Sequence, residues 1–101
     1  MPDTITRVSS VAQVPTASAS RYLQQLCKHW SHKFAVEFDP LAGHIPFPTG
    51  AVLDLAAAPD ALTLTLTAYD TAGLDRMETV VADHIRRFAF REELVIDWSR
   101  A

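Results

Sequence analysis

The chain has 101 residues, of which 49% are hydrophobic and 21% charged; this indicates one globular domain with a single core and excludes a disordered polymer. The formal net charge of −3 argues against a dedicated nucleic-acid-binding protein, because such proteins normally carry a basic balance or a dense basic stripe. A single cysteine excludes an internal disulfide framework, and no signal peptide or apolar run of roughly 18 residues is found, so we expect a soluble cytoplasmic protein that does not contact membranes.

The first predicted elements are a strand and an amphipathic helix. Loose alternation over residues 4–14 indicates the strand, and after Pro15 either Thr16 or Ser18 can cap a helix. Between residues 19 and 33, apolar side chains recur at a spacing of three and four. They are Leu23, Leu26, Cys27 and Trp30, with Phe34 one step further on. This pattern predicts a first helix with one side packed on the core.

Two short strands are predicted next. Residues 34–39 alternate, with Phe34, Val36 and Phe38 on one face and the acidic Glu37 and Asp39 on the other. After a turn at residues 40–43, residues 44–48 continue the alternation with Ile45 and Phe47 inward. The two prolines of this second segment cannot donate hydrogen bonds, which favours a short edge strand or an irregular segment.

Two further strands and a second helix complete the predicted order. Residues 51–56 form one strand, and residues 62–67 form another in which leucines face the core and threonines face the open side. Asp70 or Thr71 caps a helix that runs to about Phe88. Its buried stripe comprises Leu74, Met77, Val81 and Ile85. Residues 94–98 indicate a terminal strand or an extended tail.

These elements predict an α+β two-layer sandwich, with an antiparallel sheet and both helices on one face. The order is strand, helix, four strands, helix, similar to each half of TATA-binding-protein-like folds. The whole chain, residues 1–101, forms a single domain in this prediction.

Residues 26–33 are the most informative stretch, because they hold the cysteine, two histidines and two lysines. Cys27 lies about 160° from His29 around the helix and belongs to the core stripe, so we interpret it as a small buried hydrophobe. His29 and His32 are only about 60° apart, but a metal site would need a third ligand such as His44, His84 or a carboxylate. We therefore predict no metal site.

The same helix predicts a cationic patch made of Lys28, His29, His32 and Lys33. Residues 34–75 contain no lysine or arginine, so the first helix is the only purely basic element. Cations near a helix C-terminus stabilise the helix without any ligand, which is one interpretation. The other is a site for a small anionic ligand or an acidic protein partner.

If the cationic patch is a binding site, we expect His84 or Arg91, from the second half of the chain, to lie near it. His84 borders the buried stripe of the second helix, and a hydrogen-bonded structural histidine is the alternative interpretation. Arg91 is the second, although an ion pair with Glu92 or Glu93 at the surface would explain it equally well. The sequence names no cofactor and is compatible with a homo-oligomer.

Two blocks of sequence carry a family resemblance. The first is SRYLQQLCKHWSHK at residues 20–33, followed by VEFD at residues 36–39, and the second is RFAFREEL at residues 87–94, followed by Trp98. Together they resemble the bacterial Domain of Unknown Function 2218 family over essentially the whole chain. The resemblance implies no established activity or catalytic residue, but relatives associated with siderophore utilisation imply a role linked to siderophores or iron. The prolines of HIPFP at residues 44–48 depart from the more strand-like, glycine-containing run expected there.

From these observations we expect a small, non-enzymatic accessory or ligand-binding module. The alternative is a small enzyme in which His29 or His32 acts as general base on an anionic substrate held by a lysine, because histidine titrates in the right range. A pocket around both histidines would favour the enzyme, and a flat, solvated histidine face would favour a surface for a partner.

Overall fold

The computed structural model describes residues 7–100, in which an antiparallel sheet of six strands carries two helices. In chain order the elements are β1 (Val8–Pro15), α1 (Ala19–Ser31), β2 (Glu37–Phe38), β3 (Ala42–Pro46), β4 (Val52–Ala58), β5 (Ala61–Ala68), α2 (Thr71–Phe88) and β6 (Ser99–Arg100). The strands lie in the order β2-β3-β4-β5-β1-β6. The predicted α+β sandwich and its order of elements are confirmed.

Strand β5 shows why the sheet has one buried and one open face. Leu62, Leu64 and Leu66 are fully buried, while the threonines between them are only half-buried. Because side chains alternate along a strand, all three leucines face the helices, and burying each stabilises the fold by about 1.5–3 kcal/mol. The predicted orientation of the leucines in this strand is confirmed.

Both helices pack on the leucine side through the stripes predicted for them. The buried residues of the two stripes are Leu23, Leu26, Cys27 and Trp30 in α1, and Leu74, Met77, Val81 and Ile85 in α2. The hydroxyl of Tyr22 in α1 donates to Glu92 beyond α2, while His29 at the other end of α1 stacks near His84. The helices therefore run antiparallel across the sheet, in contact with each other.

Among the helices in residues 7–100, none combines the length and apolar character needed to cross a bilayer.

The helix starts differ in how they are capped. Asp70 is the N-cap of α2, and its Oδ1 accepts the Gly73 amide at 2.7 Å. Ser18 occupies the N-cap position of α1 but its side chain makes no capping bond; the Oγ1 of Thr16 instead accepts the Ser18 amide at 3.0 Å.

The strand predicted over residues 34–39 is reduced to the two residues of β2. The amides of Lys33 and Phe34 both donate to the Trp30 carbonyl, so the turn that ends α1 extends into this segment. Phe34 is half-buried against the core, whereas Phe38 remains 37% exposed. Phe38 was predicted on the same face as Phe34 and Val36, but β2 lies at the outer edge of the sheet, beyond the main core, which leaves Phe38 exposed.

Strand β3 begins two residues earlier than predicted, because Asp39 makes the turn. Its Oδ1 accepts the amides of Leu41 and Ala42 at 2.8 and 2.9 Å, and its own amide donates to the Ala42 carbonyl. Ile45 is fully buried, as predicted. Pro46 is the last residue of β3 and lies opposite Val52 of β4. The neighbouring strand on the other side, β2, pairs only with Gly43 and His44, so the missing N–H of Pro46 costs no hydrogen bond to β2.

The last strand lies later in the chain than residues 94–98, for which the sequence predicted a terminal strand or an extended tail. Residues 94–98 belong to no strand, Leu94 among them is buried, and β6 pairs with Ser10 and Val11 of β1. The guanidinium of Arg100 holds this segment against α2 through Asp75 and Glu78. Strand β1 is described from Val8 onward; residues 4–6 of the predicted strand lie outside the described residues.

Candidate functional site

The centre of the candidate site is a pair of histidines where the end of α1 meets α2. The rings of His29 and His84 lie 5.1 Å apart between centroids. Trp30 packs beneath them, 4.7 Å from His84 and 5.1 Å from the buried Phe47. Phe88 lies 6.1 Å from His29, edge to face. The core aromatic residues thus fix both helices so that two imidazoles meet at the surface.

The ring of His84 has a defined orientation. Its Nδ1 lies 2.7 Å from the carbonyl oxygen of Val80, one turn earlier in α2. Since a carbonyl can only accept, Nδ1 carries the proton and donates it, which leaves Nε2 as the nitrogen available to other groups. His84 is half-buried and hydrogen-bonded, which agrees with the interpretation of His84 as a structural histidine.

Cationic groups from both helices surround His29. Desolvation by burial lowers its pKa below the ordinary value, and so do the charges of His84, Lys33, His32 and Arg87. A carboxylate nearby would raise the pKa, and none is among the groups that shift it. We call these five residues, His29, His32, Lys33, His84 and Arg87, the His29 face. Gathering groups of one sign costs stability, so a ligand of the opposite sign would relieve the repulsion.

The lowered pKa of His29 has a consequence for stability. The folded chain binds the imidazole proton less tightly than the unfolded chain, so the unfolded state takes up more protons as the pH falls below about 6.5. We expect the free energy of unfolding to decrease as the pH drops through this range, and His29→Gln to remove part of that decrease. Urea unfolding at a series of pH values measures the slope, with Arg76→Gln, which removes an exposed cation on α2, as the control. Equal slopes in the His29 variant and the unmodified chain would contradict the electrostatic interpretation.

Two of the predicted site residues lie apart from this group. Lys28 is exposed one turn before His32 and is not among the charges that act on His29. Arg91 follows α2 and lines a separate groove with Arg21 and Tyr22, towards the start of α1. The expectation of an ion pair between Arg91 and the neighbouring glutamates was wrong: within residues 7–100 the paired carboxylates are those of Asp54, Asp75 and Glu78.

The remaining candidates for a metal site do not converge. Cys27 is fully buried, and burial raises the pKa of its thiol to about 11, so it is a core residue as predicted. His44 lies on β3 between the buried residues Gly43 and Ile45, so it faces away from α1. Its Nδ1 is 2.6 Å from the Oδ1 of Asp54, the residue opposite on β4. In the part of the chain that the structure describes, no three His, Cys, Asp or Glu side chains are grouped to hold a metal.

Comparison with known proteins agrees with the two sequence blocks. The profile of the family described as "Uncharacterized protein conserved in bacteria (DUF2218)" matches residues 11–99, which include both helices and the whole His29 face. The chain belongs to the DUF2218 family. The fold of this DUF2218 chain is similar to the NMR structure of PA4090 from Pseudomonas aeruginosa, with a TM-score of 0.75 and 44% identity over 90% of this chain and 94% of that one. Among curated proteins none matches the chain.

Sequence reasoning missed two features of this DUF2218 chain. Arg87 could have been assigned to the site, because it lies three residues after His84 and therefore on nearly the same side of α2. The groove around Arg21 and Arg91 had no sequence signal, since it depends on contacts between distant segments. That any of these residues binds a ligand remains a prediction.

Proposed function

We propose that this chain is a non-enzymatic binding module that takes a small anion on the His29 face. The observation that supports this most is the approach of His29 and His84 to 5.1 Å, with Lys33 and Arg87 acting on the same ring. Repulsion among these cations is unfavourable in the free protein. An anion bound among them is attracted by each cation, and this attraction offsets the repulsion. His29 lies in the last turn of α1 and Arg87 in the last turn of α2, where cations also stabilise the helices. Helix stabilisation does not require cationic groups of the two helices to lie together, as the rings of His29 and His84 do.

The exposure of the histidines supports binding over catalysis. His29, His32 and Lys33 are all exposed, whereas a general base works best in a cleft that excludes water and holds the substrate in place. A solvated surface that gathers cationic groups from two helices is better suited to a ligand that is held mainly by its charge. An acidic segment of a protein partner would use the same chemistry.

In a narrower form of this proposal, the anion is an iron chelator and the protein has a role in siderophore or iron utilisation. Its support is the family resemblance together with the charge of the surface, because carboxylate and catecholate iron chelators are anions. In this form the protein contacts the chelator and supplies no metal ligand of its own.

The proposal is tested with inorganic sulfate, whose charge stays constant across the range in which histidine titrates. We expect sulfate affinity to fall with added sodium chloride and with rising pH, because screening and loss of the imidazolium charge both weaken the attraction. The double variant His29→Gln/His32→Gln should bind sulfate roughly threefold to tenfold more weakly, with a nearly unchanged melting temperature, since both side chains are exposed.

A matched control is His44→Gln, which removes an exposed histidine from the sheet, on the side away from α1. Calorimetric titration of the three proteins with sulfate gives the affinities. If the double variant binds sulfate as tightly as the unmodified chain, or if His44→Gln weakens binding equally, the His29 face is not the anion site.

A further inference from the structure

A second surface with the chemistry of a binding site lies at the opposite end of α1. A groove of about 190 Å³ is lined by Arg21, Tyr22, Phe88, Phe90 and Arg91. Two arginines and three aromatic residues therefore line one small concavity. Its volume is below the roughly 300–1,000 Å³ typical of sites for drug-sized ligands, so the matching ligand is small.

The loop that forms one wall of the groove is held in place at both ends. Ala89 is buried, its amide donates to Ile85, and its carbonyl accepts the Glu92 amide at 3.2 Å, so Phe90 and Arg91 occupy the centre of a turn. The carboxylate of Glu92 accepts hydrogen bonds from Tyr22 and Thr16, which fastens the turn to the start of α1. The groove is thus largely preformed, which reduces the ordering cost of binding.

The side chains at the centre of this turn contact each other and form no ion pair within residues 7–100. Phe90 is 79% exposed, the highest exposure among the large hydrophobic side chains of residues 7–100. The guanidinium carbon of Arg91 lies 5.5 Å from the Phe90 ring centre, in a cation–π arrangement. Neither Arg21 nor Arg91 is among the ion-paired residues in residues 7–100. The carboxylate of Glu92, the residue after Arg91, accepts hydrogen bonds from Tyr22 and Thr16, and the two arginines are left for an external anion.

We propose that this groove binds a small aromatic carboxylate. Arginine presents parallel N–H donors that match the two oxygens of a carboxylate, and Phe88 and Phe90 supply faces and edges for an aromatic ring. A compact inorganic anion would use only the guanidinium groups and leave the aromatic residues without a partner. The groove is separate from the His29 face, with Phe88 between the two, and this inference does not depend on the function proposed above.

The test is an NMR titration of the isotope-labelled chain with benzoate, compared with cyclohexanecarboxylate and benzyl alcohol. Benzoate should bind with a dissociation constant on the order of a millimolar and shift the signals of Arg21, Phe88, Phe90 and Arg91. Cyclohexanecarboxylate lacks the aromatic ring and benzyl alcohol lacks the charge, so each should bind more weakly. Sulfate should shift a different set of signals, those of the His29 face.

Variants assign the interaction to individual groups. Arg91→Gln should weaken benzoate binding roughly threefold to tenfold, and Arg91→Lys should weaken it less, because the charge remains without the planar pair of donors. Phe90→Leu should weaken benzoate about threefold and leave cyclohexanecarboxylate unchanged. Arg76→Gln, on an exposed part of α2 away from the groove, should bind benzoate normally.

The proposal is overturned if benzoate shifts no groove signals, or if cyclohexanecarboxylate binds as tightly as benzoate and Phe90→Leu changes neither. It is equally overturned if Arg91→Gln binds benzoate with full affinity while its amide spectrum shows a folded protein. Both substituted side chains are exposed, so these variants are expected to fold.

Discussion

Leu64→Ala is expected to reduce the free energy of unfolding by about 2–5 kcal/mol, because a fully buried leucine at the centre of the sheet would be replaced by a cavity. Leu64 lies opposite Ala12 of β1 and Leu55 of β4, which are both buried in the same core. Urea unfolding followed by circular dichroism measures the change.

The matched control is the next residue of the same strand. Thr65 points to the opposite face of β5 and is half-buried, so Thr65→Ala should change the free energy of unfolding by less than about 1 kcal/mol. A similar cost for both substitutions would contradict a sheet with one core-facing and one open side.

Gly43→Ala is expected to destabilise the chain by about 1–3 kcal/mol, because no space exists for a methyl group where β3 meets α1. A Cβ atom at this position would lie 2.7 Å from the Sγ of Cys27 and 3.2 Å from a methyl carbon of Leu55. The cost therefore arises from one close approach between a strand and a helix, and it is measured by urea unfolding.

Removing the sulfur should reverse this effect. In a Cys27→Ala background the nearest obstacle is gone, and alanine in a strand is favoured over glycine by about 0.5–1 kcal/mol. We therefore expect Gly43→Ala to be neutral or stabilising there, so that the two substitutions couple strongly. An equal cost of Gly43→Ala in both backgrounds would show that the contact with Cys27 is not the cause.

The sequence predicted the fold best where a long periodic pattern repeats. The helix stripes ending in Trp30 and Ile85 and the alternation of β5 each place several side chains on one face, and all of these lie in the core. Strand ends were predicted less well, because they depend on single hydrogen bonds. Asp39, for example, makes its turn by accepting two amides, which moves the start of β3 to Ala42.

The candidate site could be predicted only in part, for the same reason. Helical spacing placed His29 with His32 and Lys33, and His84 was expected nearby; the structure adds Arg87, because Trp30 packs against His84 and brings this part of α2 to the end of α1. The position of Arg91 could not be predicted, since it depends on the bond between Tyr22 and Glu92, residues far apart in sequence.

The most direct test of the proposed function is the pKa of His29, measured by NMR titration of its ring signals with and without sulfate. Without sulfate the pKa should lie below the ordinary value of about 6.5, because burial and the neighbouring cations disfavour the imidazolium. Saturating sulfate should raise it, since a bound anion favours the protonated ring, while the signals of His44 on the sheet stay in place. A His29 pKa that does not respond to sulfate, or equal movement of the His44 signals, would contradict an anion site on the His29 face.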